Sequence, residues 1–350
     1  MTLPPVNQNK NAIALDPNFS TTRLVMREKP VIINDPSSKV QSVLFLPPNP
    51  ERRGEGGLRT KGYFKKSYDE ESDLSGNLPL PLVTIITVVF NGEKYLEQTI
   101  QSVINQNYDN VEYVIIDGGS TDGTVDIIRK YEDKIDYWVS EPDGGLYYAM
   151  NKGIQLATGE LIGLINSDDI YNDGTVSKVT DQYVNPQKLR FVIISGSIFR
   201  TDSQGNIKIR LYTSHKSLEE KIEWRMPLHH PATFVSCDVY KTIGAFNTKY
   251  KIAGDYDFIY RAFHSRKVKF LIIDDFLTSM RLGGLSEEGI MSIWIKAKES
   301  FQVRKDNISL AKNFLIFVFV LLVNGIKQIV KPLLSDTLLS TYYRYRHTRD

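Results

Sequence analysis

Asn166-Ser167-Asp168-Asp169 is the stretch of the chain best suited to chemistry. It follows a short apolar run, residues 159–164, that reads as a buried strand. Open α/β sheets bind ligands at the carboxyl ends of such strands. Two adjacent acids repel unless something positive lies close. A hard divalent cation, shared with substrate phosphates, meets that need. A solvated turn with an Asp helix cap is the plainer reading of the same four residues.

Three further acids fall at predicted strand ends or helix starts: Asp117, Asp143 and Asp255. Glycines beside Asp117 and Asp143 let backbone approach a ligand closely. Singly, each Asp-Gly reads as a turn. The elements between them bring all four sites to one edge. Residues 82–90 are β-branched with no breaker, as in a strand buried on both faces. A helix follows with Leu96, Ile100, Val103 and Ile104 on one face. Strands are predicted at 111–116 and 135–140, with helices after each. This alternation predicts a parallel α/β sheet with right-handed crossovers. Beyond it the pattern is mixed, with strands at 191–195, 207–212, 232–236 and 268–273 and helices at 218–225 and from Asp255.

The ends differ from this middle. Residues 1–80 carry Pro4-Pro5, Pro47-Pro48 and a charged Gly-rich stretch, which predicts an extension of low order or docked strands. Within it, Gly62-Tyr63-Phe64-Lys65-Lys66 reads as part of a tether. The catalytic body is expected over 81–305, and a hydrophobic helix with a basic tail over 306–350. Phe314 to Val323 is apolar all round, yet shorter than the roughly 20 residues of a membrane span. Lys327, Lys331, Arg344 and Arg346 follow it, with Tyr342, Tyr343 and Tyr345 interleaved near the end. Such a helix suits the inner face of a membrane. A seam in a homodimer, or a helix packed on the body, would show the same pattern.

Composition bounds the rest. The chain has 350 residues, 41% hydrophobic and 24% charged, as for a globular protein with a full core. Its formal net charge of +2 gives no reason to expect nucleic acid as a partner. The single cysteine, Cys237, excludes an intrachain disulfide framework and a cysteine-rich zinc site. The first residues lack a signal-peptide apolar core, so a cytoplasmic body is expected, held peripherally to the inner membrane face.

With these residues in order, the sequence resembles family 2 of the glycosyltransferases, whose fold is GT-A: a doubly wound, mainly parallel α/β sheet with flanking helices. The resemblance spans roughly residues 82–290. It rests on Thr87-Val88-Val89-Phe90-Asn91, on residues 116–124 (IDGGSTDGT), on Ser140-Glu141-Pro142-Asp143-Gly144-Gly145 with Ala149-Met150-Asn151-Lys152-Gly153, on Asn166-Ser167-Asp168-Asp169, on residues 229–234 (HHPATF), and on Ala253-Gly254-Asp255-Tyr256-Asp257.

The resemblance implies an inverting transfer of a sugar from a nucleotide sugar, UDP-linked by preference, to a hydroxyl of a saccharide or lipid-linked acceptor in cell-envelope glycan synthesis. Phe90, Asn91 and Glu93 would line the nucleotide, and Asp117 would accept a hydrogen bond from the base. Asp143, Asn151, Lys152, Asn166 and Ser167 would complete the donor side. Asp168, with Asp169, would bind Mg2+ or Mn2+ on the diphosphate. Asp255 would be the general base. His230 would contact acceptor or diphosphate, and Arg281, Gly283 and Gly284 would form a loop closing over the donor. The chain departs from the family pattern in having Asn166 where an Asp is usual, Tyr148 where relatives often carry Asp, and Gly254 where many carry Glu. A non-catalytic sugar-nucleotide binder or scaffold would keep the same fold. A nucleotide-binding dehydrogenase needs Gly-x-Gly-x-x-Gly after the first strand, and residues 91–96 do not supply it.

Overall fold

Continuous β-branched runs become strands buried on both faces, and helices with one apolar stripe cover them. The structure, a computed structural model, describes residues 12–14, 24–68, 80–184, 189–283 and 289–330. Three short strands come first: β1 (Ala12–Ala14), β2 (Leu24–Met26) and β3 (Gly54–Gly56). The alternating part follows as β4 (Val83–Val89), α1 (Leu96–Ile104), β5 (Val111–Asp117), α2 (Thr124–Lys130), β6 (Tyr137–Ser140), α3 (Leu146–Leu156) and β7 (Leu161–Asn166). The second half opens with β8 (Ile170–Tyr171), α4 (Thr175–Val184), β9 (Val192–Thr201), β10 (Ile207–Leu211) and α5 (His215–Lys221). It closes with β11 (Thr233–Ser236), α6 (Cys237–Ile243), α7 (Gly254–His264), β12 (Lys269–Arg281), α8 (Gly289–Arg304) and α9 (Leu310–Val330).

The main sheet runs β3-β6-β5-β4-β7-β11-β9-β12-β8, with β10 beside β9. The run β6-β5-β4-β7 is parallel, as the strand–helix alternation predicts. β11 is inserted antiparallel between β7 and β9, so the sheet is mixed. Register sets the carboxyl ends level: Val89 pairs with Asp117, Val88 with Asn166, and Asp117 with Ser140. Every residue of β4 and β5 is buried. Ile86, Val88 and Ile116 face the core under α3, α6 and α7, while Ile85 and Ile115 face the core under α1, α2 and α4. Each such side chain contributes roughly 1.5–3 kcal/mol on burial.

The N-terminal arm is docked on the main sheet. β3 adds antiparallel to β6 and covers that sheet edge. Arg59 pairs with Glu112 at 2.5 Å, both side chains 2% exposed, and also donates to Leu44 O and Leu156 O. Lys65 pairs with Asp136 at 3.0 Å and is buried with it. Charged residues that read as solvated in sequence are thus buried in pairs with the main domain, which is how charge can be taken from water. At the other end, α9 packs on α8 through Phe317, whose ring meets Trp294 and Phe301. Among the described residues no helix is long and apolar enough to cross a membrane. Gly284 and residues 331–350, with the basic tail expected there, lie outside the described residues.

Candidate active site

β7 delivers Asn166 to the sheet edge, and the turn after it divides the two acids. Asp169 is 1% exposed; its Oδ1 accepts the Arg281 N–H at 3.2 Å and its Oδ2 accepts Asn166 Nδ2 at 3.1 Å. Burial, with the neighbouring Asp168 charge, pushes the Asp169 carboxyl up to about 8. Asp168 is half-buried, and its side chain has no hydrogen bond or ion pair among the described residues. Asn166 Oδ1 lies 3.3 Å from His230 Nε2. Since the amide nitrogen already faces Asp169, the network assigns the ring proton to Nε2. Burial lowers the His230 pKa against the opposing charges of Asp255 and Asp168. The imidazole is therefore neutral and lies within electrostatic reach of both carboxylates.

Asp255 enters from α7, in the first turn, where the helix dipole favours an acid. Its Oδ1 accepts the Tyr256 N–H at 2.7 Å. Tyr147, the second residue of α3, holds this helix start in place: its hydroxyl donates to Ile252 O at 2.7 Å and lies 3.5 Å from Asp255 Oδ1. A Cβ at position 254 would meet the Tyr147 ring at 2.7 Å. Any side chain at this position would press on that ring. The loop before Asp255 is fixed by Glu299 of α8, whose carboxylate accepts the N–H groups of Lys251, Ile252 and Ala253 at 2.8–2.9 Å.

The loops after β4 and β5 are laced together at the other end. Asn91 takes a positive φ of 51°, its N–H donates to Ser120 Oγ, and its Oδ1 accepts the Thr121 N–H. Glu93 accepts the Gly123 N–H at 3.1 Å. Phe90 is left 64% exposed at the strand end. Ser167 lies beside Gly92, where a Cβ would meet its Oγ at 3.2 Å, so this loop and the acidic turn adjoin.

The expected donor residues also carry bonds within the protein. Asp117 is fully buried and accepts from Gly119 N, Ser120 N, Ser120 Oγ and Ser140 Oγ. Three of those donors meet Oδ2 and one meets Oδ1, so the carboxylate ties the loop after β5 to β6. Asn151 clamps the Phe246 backbone, its Nδ2 donating to Phe246 O and its Oδ1 accepting the Phe246 N–H. Lys152 is paired with Glu141 at 2.8 Å, and Glu141 also takes Arg52 at 2.9 Å. Arg281 is 4% exposed, lies over the Tyr95 ring and donates to Gln98, so it is built into the body behind the acidic turn; Gly283 follows at φ 100°.

Asp143 lies beside the loop that Asp117 holds. Its Oδ1 accepts the Gly145 N–H at 2.7 Å, and its Oδ2 lies 3.1 Å from the Cβ position of Gly118. Burial raises its pKa, with Asp117 and Glu141 adding to the effect. Arg53, from the N-terminal arm, donates to Gly119 O and Ser120 O beside it. Nothing local in the sequence marks Arg53, Tyr147 or Glu299 as parts of this region.

A divalent cation fits the acidic turn on one observation: a buried carboxylate with a raised pKa lies beside Asp168, whose charge has no partner. The oxygen donors suit a hard ion. Among the described residues no group of three or more His, Cys, Asp or Glu could enclose a metal by itself. The protein would thus supply Asp168, backed by Asp169, and a substrate's phosphate oxygens the remainder.

Comparison with known proteins follows this geometry. The family model for glycosyl transferase family 2 matches residues 84–246. A glycosyltransferase of Mycobacterium tuberculosis is 32% identical over 183 residues, covering 52% of this chain and 69% of that one. A PGL/p-HBAD biosynthesis glycosyltransferase of Mycobacterium bovis is 28% identical over 192 residues, covering 52% and 70%. Among solved structures, a mannosyltransferase from Pyrobaculum calidifontis, in complex with GDP-Man and Mn2+, aligns with a TM-score of 0.51 at 17% identity, covering 77% of this chain and 83% of that one. That likeness shows the fold. The shared core sequence shows the rest: this chain belongs to glycosyl transferase family 2 and is a glycosyltransferase with the GT-A fold.

Proposed function

We propose that the chain transfers a sugar from a nucleoside-diphosphate sugar to the hydroxyl of a saccharide or lipid-linked acceptor, with inversion at the anomeric carbon. One observation carries this reading. Asp168 follows the strand end whose Asn166 holds the His230 ring at 3.3 Å, where it can face a diphosphate, and Asp255 is fixed at the start of α7 beside the Tyr147 hydroxyl, where it can take a proton. The acceptor oxygen bonds to C1 as the C1–O bond to the diphosphate breaks. Asp255 takes the hydroxyl proton, and the leaving electron pair goes to the diphosphate. A single displacement of this kind inverts C1. Bound at Asp168, Mg2+ or Mn2+ would supply positive charge for the leaving diphosphate. His230, neutral and held by Asn166, orients polar groups between the two carboxylates.

Nucleoside recognition is assigned to the exposed ring of Phe90, for stacking, and to the unbonded oxygen of Asp143 beside Asp117. The fold neighbour that binds GDP-Man puts GDP-sugars on the donor panel beside UDP-sugars.

The test is release of nucleoside diphosphate from such a panel, with and without added divalent ion, and the anomeric configuration of the product by NMR. Release that depends on metal, with inversion, is expected. Donor binding without release, or retention at C1, would overturn the reading.

A further inference from the structure

The hairpin of α8 and α9 is attached firmly along one side only. Asn313 ties its base, accepting from Arg304 Nε at 3.0 Å and donating to Phe301 O at 2.9 Å. Ala297 and Glu299 of α8 are buried against the body, and Phe319 of α9 touches Trp224. The outer side of the hairpin is apolar and uncovered. On α9, Phe314, Leu315 and Leu322 are 57%, 69% and 60% exposed, with Val318 between them. Their spacing makes one helical stripe. Met291 and Trp294 of α8 extend it and are also exposed. No charged or polar residue interrupts the sequence from Phe314 to Val323.

Exposed lysines lie on the same hairpin as this stripe. The exposed charged residues described on the hairpin are Lys296, Lys298, Lys305 and Lys312 against Asp306. None of these lysine side chains has an ion pair or hydrogen bond among the described residues. The sequence beyond adds Lys327, Lys331, Arg344 and Arg346. A second copy packed by twofold symmetry would bring one set of lysines against another. An anionic bilayer surface offers acyl chains and negative head groups together. A span is not available to these helices, since none described is long and apolar enough to cross.

We propose that the outer face of the α8–α9 hairpin rests on an anionic lipid surface, with the α9 stripe entering the boundary between head groups and acyl chains and the lysines contacting the head groups. This rests on exposure and charge, and does not depend on which sugar is moved.

Co-sedimentation of the full chain with vesicles tests it. Vesicles of phosphatidylcholine alone are compared with vesicles containing phosphatidylglycerol, at low and high salt. Binding to the anionic vesicles that weakens with salt is expected. Lys298→Glu with Lys312→Glu, and separately Leu315→Glu with Leu322→Glu, should each lower the bound fraction about tenfold. Thermal melting should be unchanged, because these side chains are already exposed. A full chain that stays in the supernatant with anionic vesicles overturns the proposal. So does a dimer in solution that dissociates on Leu315→Glu, which assigns the stripe to a second copy.

Discussion

His230 Nε2 lies 3.3 Å from Asn166 Oδ1, and the amide's other end donates to Asp169 at 3.1 Å. One side chain thereby accepts on one side and donates on the other. Only an amide does both here, since a carboxylate is acceptor-only. An Asp at 166 would set a second acid against the buried Asp169 and remove the donor that the amide supplies. Asn166→Asp should destabilise the fold by about 1–3 kcal/mol, the cost of an unsatisfied buried acceptor. Urea unfolding reads this, and added Mn2+ should restore part of the loss by neutralising the pair. An unchanged midpoint would show that Asp169 does not need the amide.

Asp168→Asn tests the outer acid. It removes charge at constant volume from a half-buried side chain with no protein partner to lose. The fold should be intact by circular dichroism, with most turnover gone and the metal requirement weakened. Full turnover in this variant, or in the wild type with chelator, would remove the cation from the proposal.

The mechanistic weight on Asp255 is separable from binding. Asp255→Asn should lower kcat by roughly 10²–10⁴-fold, the usual worth of a general base, while donor affinity is retained. Isothermal titration with the donor beside steady-state kinetics divides the two. If donor affinity falls and kcat does not, Asp255 belongs to the donor site.

Much of the fold was legible because it is written in local pattern. β4 and β5 are continuous apolar runs, and both are wholly buried. The acidic turn after β7 was legible for the same reason. What failed to show was pairing across distance. Nothing in residues 116–124 reveals that Ser140 Oγ bonds Asp117 from the next strand. Nor does the stretch around Asn151 reveal its partner Phe246, 95 residues away. The antiparallel insertion of β11 is encoded in four residues, too few for a periodicity to state direction. The N-terminal arm read as a tether because its ordering side chains are charged, and charge in a Gly-rich stretch ordinarily signals solvent.

That arm yields a prediction with a definite pH sign. Glu112 is buried; burial alone raises its pKa, but Arg59 and the bonds from Thr158 and Thr84 outweigh burial and hold it below the usual range. A carboxylate whose folded pKa is depressed adds stability above its unfolded value, about 4.3, and loses it as pH falls through the folded value. Arg59→Met leaves the Glu112 charge buried without its cation. The expected loss at pH 7 is about 3–5 kcal/mol by chemical denaturation. The loss should shrink as pH falls, because the unpaired carboxyl then takes a proton at a higher pH than in the wild type. Adding Glu112→Gln to Arg59→Met should recover part of the loss, since the amide keeps a partner for Thr84 and Thr158 without the charge. If the single variant unfolds with the wild-type midpoint at pH 7, the pair does not hold the arm to the sheet. An equal loss at pH 7 and in acid would place the effect in Arg59's bonds to Leu44 O and Leu156 O instead of in the ion pair.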